Sequence, residues 1–170
     1  MLDMKVLMYM AMTLNGYIAT ENDKCPWPPE EWRAYRRVSE LHKVIVIGRR
    51  TYQIMSRLGE FKRMGNPFVI VLTHKGLKDQ KGVAFVRSAK EAIGLAKSNG
   101  FSKVLISGGG IVNSSFMKSG LVDELYIDIV PVLFGKGVKL FADADFEKKL
   151  KFTGMNMLSS QVMQLRYKVL

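Results

Sequence analysis

V-I-V-I-G-R-R-T at residues 44–51, read beside V-L-I-S-G-G-G at 104–110, decides the fold of this chain. Each stretch is a short aliphatic run that ends on glycine just before a segment of helical spacing. Val44–Ile47 is apolar throughout, so it reads as a strand buried on both faces, as in a parallel sheet covered by helices. A glycine at such a junction lets the chain turn sharply. The helix that follows offers unpaired N–H groups and the positive end of its dipole to an anion. Arg49 and Arg50 can add bidentate, charge-assisted bonds to phosphate. Gly108, Gly109 and Gly110 carry no side chains, so their backbone can lie close to a pyrophosphate. Either junction alone is equally consistent with an ordinary tight turn. Two of them in one short chain point to a nucleotide. The G-x-G-x-x-G pattern of the Rossmann fold is absent, so the expected dinucleotide arrangement is a different one.

The same alternation extends outward from these junctions. Val6–Met12 reads as a strand, followed by a turn at Asn15–Gly16 and an irregular loop through Pro26, Pro28 and Pro29. Glu30–Lys43 takes up helical spacing, with Trp32, Tyr35, Val38 and Leu41 recurring every three residues. A short helix at Thr51–Leu58 stops at Gly59. Phe68–Leu72, Val83–Val86, Lys103–Ile106 and Glu124–Val130 read as further strands. Ser88–Glu91 has the spacing of a capping box, which predicts a helix to about Ser98, and Ile111–Lys118 predicts another, ended by Gly120. Lys151–Met157 and Val162–Val169 around Ser159–Ser160 form a closing β-hairpin. The fold class is therefore α/β: a mostly parallel central sheet flanked by helices, with a C-terminal antiparallel hairpin at one edge. Ligands are expected at the carboxyl ends of the strands.

A chain of 170 residues with 48% apolar content suits one domain spanning residues 1–170. Its apolar runs all fall well short of the ~20 residues of a membrane helix. The apolar N-terminus carries Asp3 and reads as a buried strand rather than a secretory signal. The single cysteine, Cys25, excludes an internal disulfide framework and suits the cytoplasm. With 26 basic and 15 acidic residues the net charge is +11. Such a charge fits nucleic acid or anionic small molecules. The basic residues follow structural elements, as at Arg49–Arg50 and Lys75–Lys78, rather than forming one stripe, which favours small molecules. Thr73, His74 and Lys75 end one strand with a hydroxyl, an imidazole and an amine, a set able to hold a 2′-phosphate, though a polar loop exit is an equal reading.

These residues carry a resemblance over nearly the whole chain. A-M-T-L-N-G-Y-I-A at 11–19, P-W at 26–27, V-I-G-R-R-T-Y at 46–52, V-L-T-H at 71–74 and I-S-G-G-G at 106–110 together resemble the dihydrofolate reductase superfamily. The segment G-L-V-D-E-L-Y-I-D-I-V-P-V-L-F-G-K-G-V-K-L-F at 120–141 is similar to the reductase domain of the bifunctional riboflavin-biosynthesis deaminase/reductase, the RibD C-terminal domain. The resemblance implies that NADPH is held by Gly48, Arg49, Arg50 and Thr51, by Leu72, Thr73 and His74, and by Ser107, Gly108, Gly109, Gly110, Ile111 and Val112. Ala11 and Ile18 would lie beside the nicotinamide. It implies a 5-amino-6-(5-phosphoribosylamino)uracil reductase, acting on a phosphorylated pyrimidine, and a homodimer paired through a sheet edge. Dihydrofolate or another pterin is the nearest alternative substrate.

This chain departs from its relatives in three places. Asn15 stands where many of them have Asp. The zinc deaminase half is missing, with no P-C-x-x-C and only His42 and His74, so no metal-ligating set is expected. The Pro-rich insert Cys25–Glu31 looks more like the substrate loop of a dihydrofolate reductase, whose first helix carries a carboxylate for the pterin. Counted back from Gly48 that position falls on Trp32, with Glu31 adjacent. Glu31 is thus the candidate catalytic acid, the alternative being an exposed carboxylate on the helix dipole. Asn15, Trp27 and Trp32 are the candidate substrate contacts, with core packing an equal reading for the indoles. The eleven methionines, several in the first strand and the closing hairpin, are expected to fill the core.

Overall fold

The computed structural model describes residues 4–170. Met1, Leu2 and Asp3, the start of the apolar N-terminal stretch, lie outside the described residues. Among the described residues eight strands form the main sheet: β1 (Lys5–Thr13), β3 (Val44–Gly48), β4 (Phe68–Leu72), β5 (Val83–Val86), β6 (Lys103–Ile106), β7 (Glu124–Val130), β9 (Leu150–Met157) and β10 (Met163–Val169). They lie in the order β5-β4-β3-β6-β1-β7-β10-β9. The first six are parallel, and β10 joins β7 and β9 in antiparallel pairs. The α/β architecture with a terminal hairpin at the edge is the one the sequence predicts.

Helices cover both faces. α1 (Pro29–His42) and α2 (Arg49–Arg57) lie on one side, where Tyr35 and Met55 pack against Leu7, Tyr9, Ile45, Ile47 and Leu105. α4 (Ala89–Ser98) and α5 (Gly110–Lys118) lie on the other, burying Ala92, Ala96 and Phe116 against Met8, Val46 and Ile106. The strands between are apolar on both faces, and Val44–Ile47 is buried at every position. The predicted N-cap forms, with Ser88 Oγ accepting from the Glu91 N–H at 3.1 Å, while Glu91 Oε2 reaches one residue further back than in a capping box and accepts from the Arg87 N–H at 2.8 Å.

Some features depart from the sequence reading. The helix at the first glycine junction starts at Arg49, two residues earlier than its spacing predicts, because the extended Gly48 serves as its N-cap. A short helix α3 (Glu60–Arg63) follows Gly59, and a small second sheet pairs β2 (Tyr17–Ala19) with β8 (Val138–Lys139). Neither is long enough to show a periodicity. Met155 and Met157 of β9 are 62% and 50% exposed rather than filling the core, since β9 is the sheet's edge strand.

The second sheet matters for what it covers. The segment after Phe134 runs back across the start of α5: Asn113 Nδ2 donates to Leu140 O at 2.8 Å, Ser114 Oγ to Ala142 O at 2.7 Å, and Ala142 N to Gly110 O at 3.1 Å. A Cβ on Gly110 would stand 2.6 Å from Lys139 O, and one on Gly137 would overlap Ala19 O. Two glycines of the G-K-G and G-G-G motifs therefore permit chain-on-chain contact.

Candidate active site

β3 and β6 are neighbours, so the two glycine junctions end side by side. The Gly48 N–H donates to Gly108 O at 2.9 Å, and the Ser107 N–H to Val46 O at 3.0 Å. Gly108 adopts φ +82, a left-handed conformation that suits glycine, and a Cβ there would lie 3.0 Å from Met10 Cε. The Gly108–Gly109 peptide bond is cis. Val112 packs beneath Gly48, 3.2 Å from where a Cβ would stand. Around Gly109 there is room, with Thr51 Oγ1 at 3.8 Å from its Cβ position.

Charge separates these two helix starts from the rest. α2 and α5 have no acidic residue in their first turn and no side-chain cap, whereas α1, α3 and α4 all carry glutamate there. Two uncapped, unneutralised N-termini with glycine at each N-cap make an anion-binding cleft of backbone N–H groups. Arg49 reaches Gln53 at 3.4 Å. Arg50, 71% exposed, pairs with Asp23 from the loop after β2. Ile111 is exposed at the mouth of the cleft.

Leu72 of β4 is the register partner of Gly48. Beyond it Thr73 is buried, its N–H donated to Val86 O and its Oγ1 accepting from the Lys75 N–H at 3.1 Å; His74 is exposed. This hydroxyl and imidazole therefore stand one strand away from the glycine cleft.

A second region lies toward α1 and the far end of β1. Ala11 is buried with Trp27 and Val130, and Trp27 stacks on Phe134 with centroids 6.2 Å apart. Ile18 lies in β2, where its carbonyl faces Cys25 Sγ at 3.5 Å. Asn15 is engaged internally: its Nδ2 donates to Phe134 O at 2.7 Å, and its Oδ1 accepts from Thr13 Oγ1 at 2.8 Å. Its Oδ1 also accepts from the Phe134 N–H at 3.3 Å, so the amide pins Phe134, just before the G-K-G segment, to the first turn. Trp32 is partly buried, edge-on to Tyr35, with Arg36 5.8 Å above its ring.

Glu31 is not the exposed dipole carboxylate: it is 3% accessible, and its Oε2 has no hydrogen-bond partner among the described residues. Burial, reinforced by the negative charge of Asp128, pushes its carboxyl up to about 8. Arg36 offsets this only in part, since its guanidinium is clamped by Glu60 through bonds of 2.6 and 3.1 Å. Beside Glu31 sit groups the sequence reading passed over. Tyr9 of β1 donates to Asp128 Oδ2, and Gln164 of β10 donates to Asp128 Oδ1 at 2.9 Å. Asp128 and Tyr9 looked like ordinary members of apolar strands. A polar residue at an inward strand position was the only available signal. An open cavity of about 360 Å³ adjoins this end, between Pro26, Pro28 and Glu30 on one side and Val130, Gln161 and Val162 on the other. Cys25 has its thiol pushed up to about 11 by burial and by the Glu31 and Asp23 carboxylates, which leaves it a poor nucleophile.

With this geometry in place, known proteins supply the context. YwjB of Bacillus subtilis, an uncharacterized protein, is 27% identical over 98% of both chains. A candidate riboflavin biosynthesis protein of Shewanella sp. PV-4 shares the fold with a TM-score of 0.82 at 24% identity, over 98% of this chain and 99% of that one. The diaminohydroxyphosphoribosylaminopyrimidine deaminase/5-amino-6-(5-phosphoribosylamino)uracil reductase of Thermotoga maritima aligns with a TM-score of 0.76 at 19% identity, over 99% of this chain and 57% of that longer one. This chain thus shares its fold with these two riboflavin-biosynthesis proteins. The sequence profile of the RibD C-terminal domain matches residues 4–164, and this chain belongs to that family.

Proposed function

We propose that this protein is an NADPH-dependent oxidoreductase of the 5-amino-6-(5-phosphoribosylamino)uracil reductase type. The observation that carries the reading is the pair of adjoining helix N-termini, at Gly48 and Gly109, left without cap or carboxylate. The residues fit a dinucleotide phosphate. Arg49, Arg50 and Thr51 would hold the pyrophosphate with the backbone of Gly108–Val112, and Thr73 and His74 would take the 2′-phosphate. Bound there, NADPH supplies a hydride to an electrophilic carbon of the substrate. Ala11 and Ile18 form an apolar wall for the nicotinamide, and Trp27 and Trp32 flank the planar base.

Glu31 does the chain's own chemistry. Held protonated across neutral pH, it keeps an O–H for the substrate atom that gains a proton when the neighbouring carbon gains hydride. The basic excess is assigned to anionic small molecules. The exposed edge of β9, with Phe152, Met155 and Met157, is the surface through which two copies would pair.

Glu31 also favours a second reading, reduction of dihydrofolate or another pterin, because a buried first-helix carboxyl is what that chemistry needs. Titrating the protein with NADPH and NADH, followed by nicotinamide fluorescence, tests the cofactor. Oxidation of NADPH by the phosphoribosylamino pyrimidine or by dihydrofolate then separates the substrates. Failure to bind either nucleotide overturns the reading.

A further inference from the structure

Asp128 is fully buried in the middle of β7, at the register partner of Ala11, with its side chain toward the α1 layer like its neighbours Tyr126 and Val130. Such a carboxyl is costly unless it is paired. Here it has two neutral donors. Tyr9 O–H bonds one oxygen and Gln164 Nε2 the other, and Gln164 Nε2 also lies 3.3 Å from the Tyr9 hydroxyl. Gln164 cannot turn over, because its Oε1 accepts from Arg166 Nε at 2.8 Å, and Arg166 in turn lies over the Tyr126 ring at 4.9 Å. The amide is thereby fixed with its N–H toward Asp128. Three strands have converged to hold one carboxylate.

The same cluster touches the α1 layer. The Tyr9 and Tyr35 rings are 5.8 Å apart, and Glu31 lies one helical turn before Tyr35 on the buried face of α1. Two carboxyls therefore share a dry region, and among the described residues only Asp128 has side-chain donors. The groups facing Glu31 are Asp128 from β7, Tyr9 from β1, Cys25 from the Pro-rich loop, Tyr35 and Arg36 from its own helix, and Glu60 from α3. Arg36 is the one cation among them, and Glu60 holds it.

We propose that Asp128 is a positioning residue: anchored by Tyr9 and Gln164, it is a fixed negative charge beside the Glu31 carboxyl that keeps the latter protonated as the working acid. When two carboxyls interact in a low-dielectric site, one proton is shared, and it resides on the partner with fewer donors. The directions agree. Burial raises Asp128 only to about 6, because Tyr9, Gln164 and Arg166 pull it back, while Glu31 rises to about 8. This inference rests on the reading of Glu31 as the acid, and the test separates the two.

Carboxyl-carbon NMR of protein labelled at glutamate, with the resonance assigned by its loss in Glu31→Gln, follows Glu31 with no cofactor or substrate present. A wild-type midpoint near that of an ordinary glutamate sinks the acid reading itself. With a raised wild-type midpoint, Asp128→Asn is expected to lower it by about one unit. Tyr9→Phe is expected to move it the same way by less, since an Asp128 deprived of a donor takes more of the proton. Should Asp128→Asn not fold, Tyr9→Phe decides. A midpoint unmoved in the folded variants overturns the role of Asp128. Once a substrate is identified, the alkaline limb of its pH–rate profile shifts by the same amount.

Discussion

The glycine cleft between β3 and β6 and the acid cluster between α1 and β7 stand on one sheet, yet they are built on opposite principles. The cleft is made of backbone. Its charge comes from helix dipoles, its room from missing side chains, and its parts from two contiguous segments. The acid cluster is made of side chains from four elements, buried and short of cations. The first kind of site favours an anion as long as no carboxylate or side-chain cap takes up its N–H groups. The second exists only when the whole sheet has assembled, and its chemistry depends on desolvation.

Substitutions that strike one region and spare the other would sharpen or break this contrast. Glu31→Gln is expected to have the largest effect: loss of a positioned general acid costs on the order of 10²-fold in turnover, with NADPH affinity unchanged. A parallel loss of NADPH binding would mean that the two regions are not separate. Gly110→Ala strikes the cleft. Its new Cβ would stand 2.6 Å from Lys139 O, so the overlying segment must move, and a loss of roughly 2–3 kcal/mol in denaturant melts is expected together with loss of nucleotide binding.

The acid cluster should also announce itself in stability. Glu31 binds its proton more tightly folded than unfolded, so its contribution is most favourable below the unfolded value and fades as pH rises from about 4.5 through about 8. Glu31→Gln lacks that titration. It is expected to be more stable than wild type at pH 9, by a few kcal/mol at most, with the advantage vanishing near pH 4. Thermal melts across this range measure it. Smaller effects belong to the rim of the cleft. Arg50→Ala should weaken NADPH about tenfold. Asp23→Asn, which frees Arg50 from its partner, should tighten NADPH about twofold, an effect diminished by salt because the Arg50 end of the pair is 71% exposed.

How much of each region is legible in the sequence follows from the same contrast. Gly48 and Gly108–Gly110 declare themselves because a strand-glycine-helix junction is a local pattern, and the aliphatic runs before them set the sheet. Glu31 was half legible. Its place at the start of α1 made it a candidate, but whether it faced water or the core depended on how the Pro-rich loop packed Trp27 against Ala11 and Phe134. Asn15 stands out in the sequence as a candidate substrate contact in the first turn; its hydrogen bond to Phe134 O was not legible there, because it depends on the chain 119 residues on returning across that turn.

The sequence by itself determined the alternation of strands and helices, the closing hairpin and the glycine junctions. These follow from hydrophobic period, capping and backbone freedom over a few neighbouring residues. Only the tertiary structure decided that Tyr9, Asp128 and Gln164 form one hydrogen-bonded group beside Glu31, across separations of 119 and 155 residues. Burial and pairing fix the charge of a carboxyl, and both are set by neighbours in space, which no local pattern specifies.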